Sequence, residues 1–199
     1  MRIAPPPAAP PRWELAAETI AVKIRWFGLL VGYLLVNLGQ FPDRRPVLNA
    51  ILALGAAYTL LDTYFSFRGR VFLGRYPLSI GLMEALFIAL LCFYHDGLDS
   101  PFRFYYFLSL ICCAIRYSAR VTYATCALHG TSFGLLYLAL PPEQRQPLTL
   151  LLTLVMLGWV TWAGSAMALL LNSTAHLDLD FLIFVSSPPE RRCSEGSQG

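Results

Sequence analysis

The sequence predicts an all-α, polytopic membrane helix bundle with about six transmembrane helices and both termini in the cytoplasm. Three observations carry this. Of the 199 residues, 56% are hydrophobic and only 14% charged, a balance beyond that of a soluble domain. The charges are bunched between apolar runs at 24–40, 47–67, 78–94, 102–117, 121–140 and 148–171. A helix needs about 20 such residues to cross roughly 30 Å of hydrocarbon. Basic residues are also asymmetric. With the N-terminus inside, Arg2, Arg12, Lys23, Arg25, Arg68, Arg70, Arg75, Arg116, Arg120, Arg191 and Arg192 are cytoplasmic, and only Arg44, Arg45, Arg103 and Arg145 lie outside. Backbone groups in lipid must bond internally, so runs this long mean helices; the ten-residue alternation of a membrane barrel is absent.

The first segment, "MRIAPPPAAPPRW", has five Pro in its first eleven residues and cannot be helical. Residues 1–22 therefore read as a disordered, Pro-rich cytoplasmic tail and a juxtamembrane segment, with 13–22 a short helix along the inner surface. It is no signal peptide, because the first apolar run starts past residue 20 and is long enough to stay. Residues 23–172 read as the six-helix domain. Its connections are "FPDRRP", "HDGLDSP" and "PPEQRQP" outside, and "RGRVFLGRYP" and "SAR" inside. Loops this short cannot fold a binding module, so a ligand is handled within the bundle or at its surfaces. The fourth run is the shortest and holds Arg103 near its start. After Leu171 the helical signal is lost at Pro188, "FLIFV" is too short for a seventh span, and 173–199 read as a largely disordered cytoplasmic tail.

Chemistry-bearing motifs are sparse. Cys92, Cys112, Cys113 and Cys126 fall inside expected helices and read as small buried hydrophobes, not as a disulfide framework or a Cys-x-x-Cys redox pair. No Cys/His set has zinc spacing, and no Gly-rich phosphate loop or Ser-His-Asp pattern occurs, so no catalytic or metal-binding residue is expected and no nucleic-acid partner. Ionisable groups within spans are functional candidates by default. Asp62 and Glu84 flank the inner loop carrying Arg68, Arg70 and Arg75, and are expected to pair with that cluster. The alternative is a proton or cation path, for which His129 is the midplane partner. A neutral His129 bonded to a neighbour is the expected state. His95 and His176 lie at other depths, which argues against a bis-His haem.

The stretch "HDGLDSPFRFYYF", 95–107, concentrates polar and aromatic residues on the outer side. Gly97 and Pro101 suit a sharp reversal, and Asp99 or Ser100 can cap the next helix. Phe102, Phe104, Tyr105, Tyr106 and Phe107 sit at interface depth, where aromatic rings are expected. Arg103 is harder to place, because a helix dipole disfavours a cation at the N-terminus. Pairing with Asp96 or Asp99 would explain it. So would an amphipathic membrane ligand, with Arg103 and free helix amides as donors and Phe102, Tyr105 and Tyr106 as flat walls.

Residues 96–102, "DGLDSPF", resemble the heptapeptide Gly-Gly-x-x-Asn-Pro-Phe of the redox-sensing RegB/PrrB type of sensor histidine kinase. Gly97, Pro101 and Phe102 match, while Asp96 replaces the first Gly and Ser100 replaces Asn. The motif takes the family's position, the outer loop between the third and fourth of six spans, and "KIRWFGLL" is similar to the way such kinases enter their first span. The resemblance covers about residues 20–172. It implies a bacterial inner-membrane sensor domain in a two-component system, a homodimer, and quinone sensing at Asp96, Gly97, Asp99, Ser100, Pro101, Phe102, Arg103, Tyr105 and Tyr106. It also implies a kinase or response-regulator partner reached through a cytoplasmic domain. No phosphoacceptor box, Asn-box or ATP lid is present, and His176 lacks the Glu and Pro of such a box. The expectation is therefore a sensor half truncated before the catalytic domains, or a stand-alone relative. The rival expectations are a small multi-pass transporter using Asp62, Glu84 and His129, and a structural membrane subunit without ligand.

Overall fold

The computed structural model describes the backbone of residues 12–39, 42–68 and 76–186, with side chains described within 17–39, 43–68 and 76–170. Among the described residues regular structure is entirely helical: α1 (Arg12–Leu38), α2 (Arg45–Phe67), α3 (Pro77–Tyr94), α4 (Phe104–Arg116), α5 (Ala119–Ala139) and α6 (Pro147–Ser186). Short 3-10 turns at Pro42–Arg44, Gly97–Asp99, Pro101–Arg103 and Pro142–Gln144 lie in the connections after α1, α3 and α5, those expected on the outer side. Proline sits in the first turn of both α2 and α3, where its missing N–H costs nothing.

Ala17–Leu38, Arg45–Phe67, Pro77–Tyr94 and Pro147–Leu170 are each long and apolar enough to cross a membrane. The other two helices differ for separate reasons. With 13 residues, α4 is only about 20 Å long. With 21, α5 has the length, but Thr122, Thr125, His129, Thr131 and Ser132 make it polar.

Both ends of the domain depart from expectation. The segment expected as a separate surface helix at 13–22 is the first part of α1, which runs 27 residues without a break. No Pro or Gly stands between Arg12 and Trp26 to interrupt it, and Ala17, Glu18, Ala21 and Val22 are buried. The Pro-rich stretch 1–11 lies outside the described residues. At the other end α6 continues for 40 residues, through much of the tail expected to be disordered, and stops shortly before Pro188. Residues 187–199 lie outside the described residues.

The chain forms two compact units, residues 1–165 and 166–199. Within the first, α1 packs on α2 and α4, α3 packs on α2, α4 and α5, and α4 packs on α5. The core gathers Leu48, Leu52, Leu91, Phe102, Tyr106 and Phe133. Large apolar side chains also cover the outside: Phe27, Leu54, Leu86, Leu135 and Trp159 are each at least 60% exposed, while Glu18, Asp62, Thr122 and His129 are buried. Apolar outside and polar inside is the distribution that lipid requires and water penalises.

Candidate functional site

A chain of polar side chains runs through the first five helices. Arg25 on α1 is its hub. Its Nη1 donates to Asp62 Oδ2 on α2, and its Nε donates to Glu84 Oε1 on α3 at 3.1 Å, with Nη2 2.5 Å from the same oxygen. Ser109 on α4 donates to the other Glu84 oxygen, Oε2. With that proton committed, Ser109 Oγ accepts from His129 Nε2 on α5 at 2.9 Å, which assigns the ring proton to Nε2. Tyr106 lies edge-on to the His129 ring and bonds Ser132 Oγ at 3.0 Å, and Ser132 donates to the Ala85 carbonyl. At the other end, Glu18 Oε2 on α1 pairs with Arg116 Nη2 at 2.5 Å.

The acids are thus paired, as expected, but their described partner is Arg25 and not the inner-loop cluster. Arg68, exposed at the end of α2, stacks its guanidinium 4.6 Å above the Tyr64 ring; Arg70 and Arg75 lie outside the described residues. Sequence reasoning missed Glu18, Arg25, Ser109 and Arg116 as site residues. A signal existed. Positions 18, 25, 28 and 32 of one long helix fall on one face, and they hold Glu18, Arg25, Gly28 and Gly32. Dividing the helix at residue 22 hid that stripe.

Beside this chain lies a cleft of about 530 Å³ between α1, α2, α3 and α4. Its walls include Leu29, Ile51, Leu54, Phe87 and Leu108, and Arg25, Glu84 and Ser109 bring the polar chain to its lining. Leu54, Leu61 and Leu86 at its edge are more than half exposed, so it opens on the exposed apolar surface of the helices. Glycines let aromatic side chains of its wall pack closely against α1 and α2. A Cβ at Gly55 would meet Phe87 Cζ at 2.6 Å, and one at Gly32 would meet Tyr105 Oη at 2.9 Å.

The outer turn is built differently. Gly97 takes φ +61°, in the left-handed region, and Ser100 Oγ accepts from the Phe102 amide at 3.3 Å, capping the following 3-10 turn. Arg103 Nη1 donates to the Leu98 carbonyl at 2.9 Å and lies 3.7 Å from Asp99 Oδ1. Asp99 Oδ2 accepts from Gln146 Nε2 at 2.6 Å, tying this turn to the next outer connection. Asp96 faces the ring of His95, Nδ1 to Oδ2 at 3.4 Å. Phe102 and Tyr106 are fully buried in the core, and Pro101 opens the 3-10 turn that leads into α4. Of the nine residues expected to hold a ligand, Tyr105 lines the cleft, its hydroxyl donating to the Gly28 carbonyl at 2.5 Å. The partner expected for Arg103 is found in Asp99, so the cation is accounted for without a ligand.

No family model, curated protein or solved structure matches this chain. Its candidate site therefore rests on its own geometry: an apolar cleft open to the exposed apolar surface, with a charged pair in its wall that belongs to the tie between five helices.

Proposed function

We propose that this chain is the membrane-embedded sensor module of a two-component histidine kinase system, responding to an amphipathic membrane ligand of the quinone class. The observation that carries the reading is the cleft, whose lining shares Arg25, Glu84 and Ser109 with the polar chain. A ligand entering from the bilayer would place flat apolar surface against Phe87 and Tyr105 and its polar head beside the charged pair. Any preference of that head for one arrangement of the Arg25 contacts would become a preference for one packing of the five helices, which is what a receptor needs. In this reading all six helices cross the membrane, both termini are cytoplasmic, and α6 carries the bundle's state onward. At 40 residues α6 is about 60 Å long, twice a hydrocarbon thickness. The resemblance of "DGLDSPF" to the outer turn of redox-sensing kinases supports the same class and a bacterial inner-membrane site, with the turn as scaffold and Tyr105 joining it to the cleft.

The test is titration of vesicle-reconstituted protein with a short-chain ubiquinone, followed by tryptophan and tyrosine fluorescence, with hydrogen exchange along α6 measured at saturation. Saturable binding, weakened about tenfold by Ala57→Trp at the cleft mouth, and altered exchange in α6 are expected. Binding that is absent or indifferent to Ala57→Trp would overturn the reading. Reporter fusions at Asp99 and at the C-terminus test the topology; an internal Asp99 would refute it.

A second reading has its own observation. His129, Ser109 and Glu84 form a continuous relay, and His129 Nδ1 is buried without a hydrogen-bond partner, as a small proton-coupled transporter would want. Proton uptake by vesicles carrying the protein, abolished by Glu84→Gln and by His129→Phe, would favour it over the sensor.

A further inference from the structure

We propose that Glu18 and Asp62 form a proton-binding site, one hydrogen ion shared between two carboxyl groups that join α1 to α2. Glu18 and Asp62 are each 1% exposed. Each has one oxygen engaged by a guanidinium, Glu18 Oε2 by Arg116 and Asp62 Oδ2 by Arg25. Their remaining oxygens, Glu18 Oε1 and Asp62 Oδ1, are buried and have no hydrogen-bond partner. The two carboxyls nevertheless lie within hydrogen-bond reach of one another. Two bare carboxylates cannot hold that arrangement away from water, because neither has a proton to donate and like charges repel strongly at low dielectric. A single proton converts the clash into a hydrogen bond between an acid and a carboxylate.

Charge balance points the same way. The described charged groups around the pair are Arg25 from α1, Glu84 from α3 and Arg116 from the end of α4, with the phenols of Tyr58 on α2 and Tyr117 after α4 also facing it. Among the described residues, three carboxylates against two guanidiniums leave one negative charge in excess, and one proton removes it. A metal ion fits less well: among the described residues no group of three or more His, Cys, Asp or Glu side chains is placed to hold one. Nor does the site need the sensor reading, since neither Glu18 nor Asp62 lines the cleft. Proton release would set the carboxylates against each other and weaken the α1–α2 contact at this end. Occupancy would thereby report pH to the bundle.

Infrared difference spectroscopy on the full chain in lipid vesicles tests the proposal. A protonated-carboxyl C=O stretch that titrates with pH is expected, lost in Glu18→Gln and in Asp62→Asn and unchanged by sodium. Thermal stability should fall as pH rises through that titration. In Glu18→Gln the fall should disappear, because the amide N–H donates permanently to Asp62 Oδ1. A titrating band that persists in both variants, no such band at any pH in the folded protein, or a band displaced by sodium would each overturn the proposal, the last by showing a cation in the proton's place. If one variant fails to fold, the other and the sodium arm still decide it.

Discussion

The outer turn and the inner polar chain are both rich in charge, yet they satisfy it by opposite means. In the turn, Arg103 bonds a carbonyl five residues away and Asp99 lies four residues from it, within reach of water. In the inner chain, Arg25 bonds Asp62 and Glu84 from 37 and 59 residues away, and these contacts form only when three helices have packed. Local pairing fixes the shape of a loop. Distant pairing fixes which helices are neighbours, because an unpaired charge in the bundle is costly and a wrong packing would leave one. The exposed charges of the turn can be changed at small cost to the bundle, although Leu98 and Phe102 anchor it in the core, whereas the inner chain is where packing and charge state are the same variable.

That difference sets the scale of the mutations that would break it. Arg25→Met leaves Asp62 and Glu84 without their shared cation in a buried place, and should cost about 3–5 kcal/mol in thermal unfolding measured in lipid nanodiscs. Arg25→Lys, a point charge that cannot fork between two acids, should recover only part of the loss. A wild-type melting curve for Arg25→Met would show that the chain does not hold the helices together.

Gly97→Ala acts through the backbone of the turn. Its φ of +61° costs a residue with a Cβ roughly 1–2 kcal/mol, and the added methyl would approach Leu140 Cδ1 at 2.9 Å, a contact that a flexible side-chain end can relieve. The loss should therefore stay near that range and leave quinone titration at the cleft unchanged. Arg103→Ala should cost less, about 0.5–1.5 kcal/mol, since a solvent-accessible guanidinium loses one carbonyl bond and a long ion pair. A larger loss would mean that Arg103 supports more than its own turn.

What the sequence made legible follows the same division. The outer turn's reversal, the Ser100 cap, Pro101 at the start of a helical turn and the Arg103–Asp99 pairing all lie within a few residues and follow from local rules. The helical class was legible from run length and hydropathy. Arg25 was readable only as a charge near a membrane face, because its partners are chosen by the packing of α1 on α2 and of α4 on α1 and α3, which no local pattern encodes. Glu18 was hidden for a further reason: the apolar run starts after it, so hydropathy cut α1 short although helix propensity carried it on. Phe102 and Tyr106, expected as ligand walls, lie buried in the core, and local pattern could not tell these uses apart, since aromatic rings at interface depth serve a core as well as a ligand.

The smallest effect, and the sharpest on the turn's own terms, concerns pH. His95 follows α3, outside the spans, with its ring edge-on to Phe102 and its carbonyl accepting from Arg44. Burial pushes its titration below the ordinary value and the Arg44 cation adds to this, against the opposing pull of Asp96. A histidine that titrates lower when folded must be neutral to stabilise, so its contribution is complete above the unfolded value of about 6.5 and is lost as pH falls below it. His95→Phe keeps an aromatic edge on Phe102 but cannot take up a proton, so its stability should fall less than the wild type's as pH drops below about 6.5. Asp96→Asn removes the opposing carboxylate and should make the acid loss steeper. Parallel stability profiles for His95→Phe and the wild type would show that the turn does not sense acid through this ring. The fall with rising pH expected of the proposed Glu18–Asp62 site has the opposite sign and should survive in both turn variants, so one pH series separates the two regions.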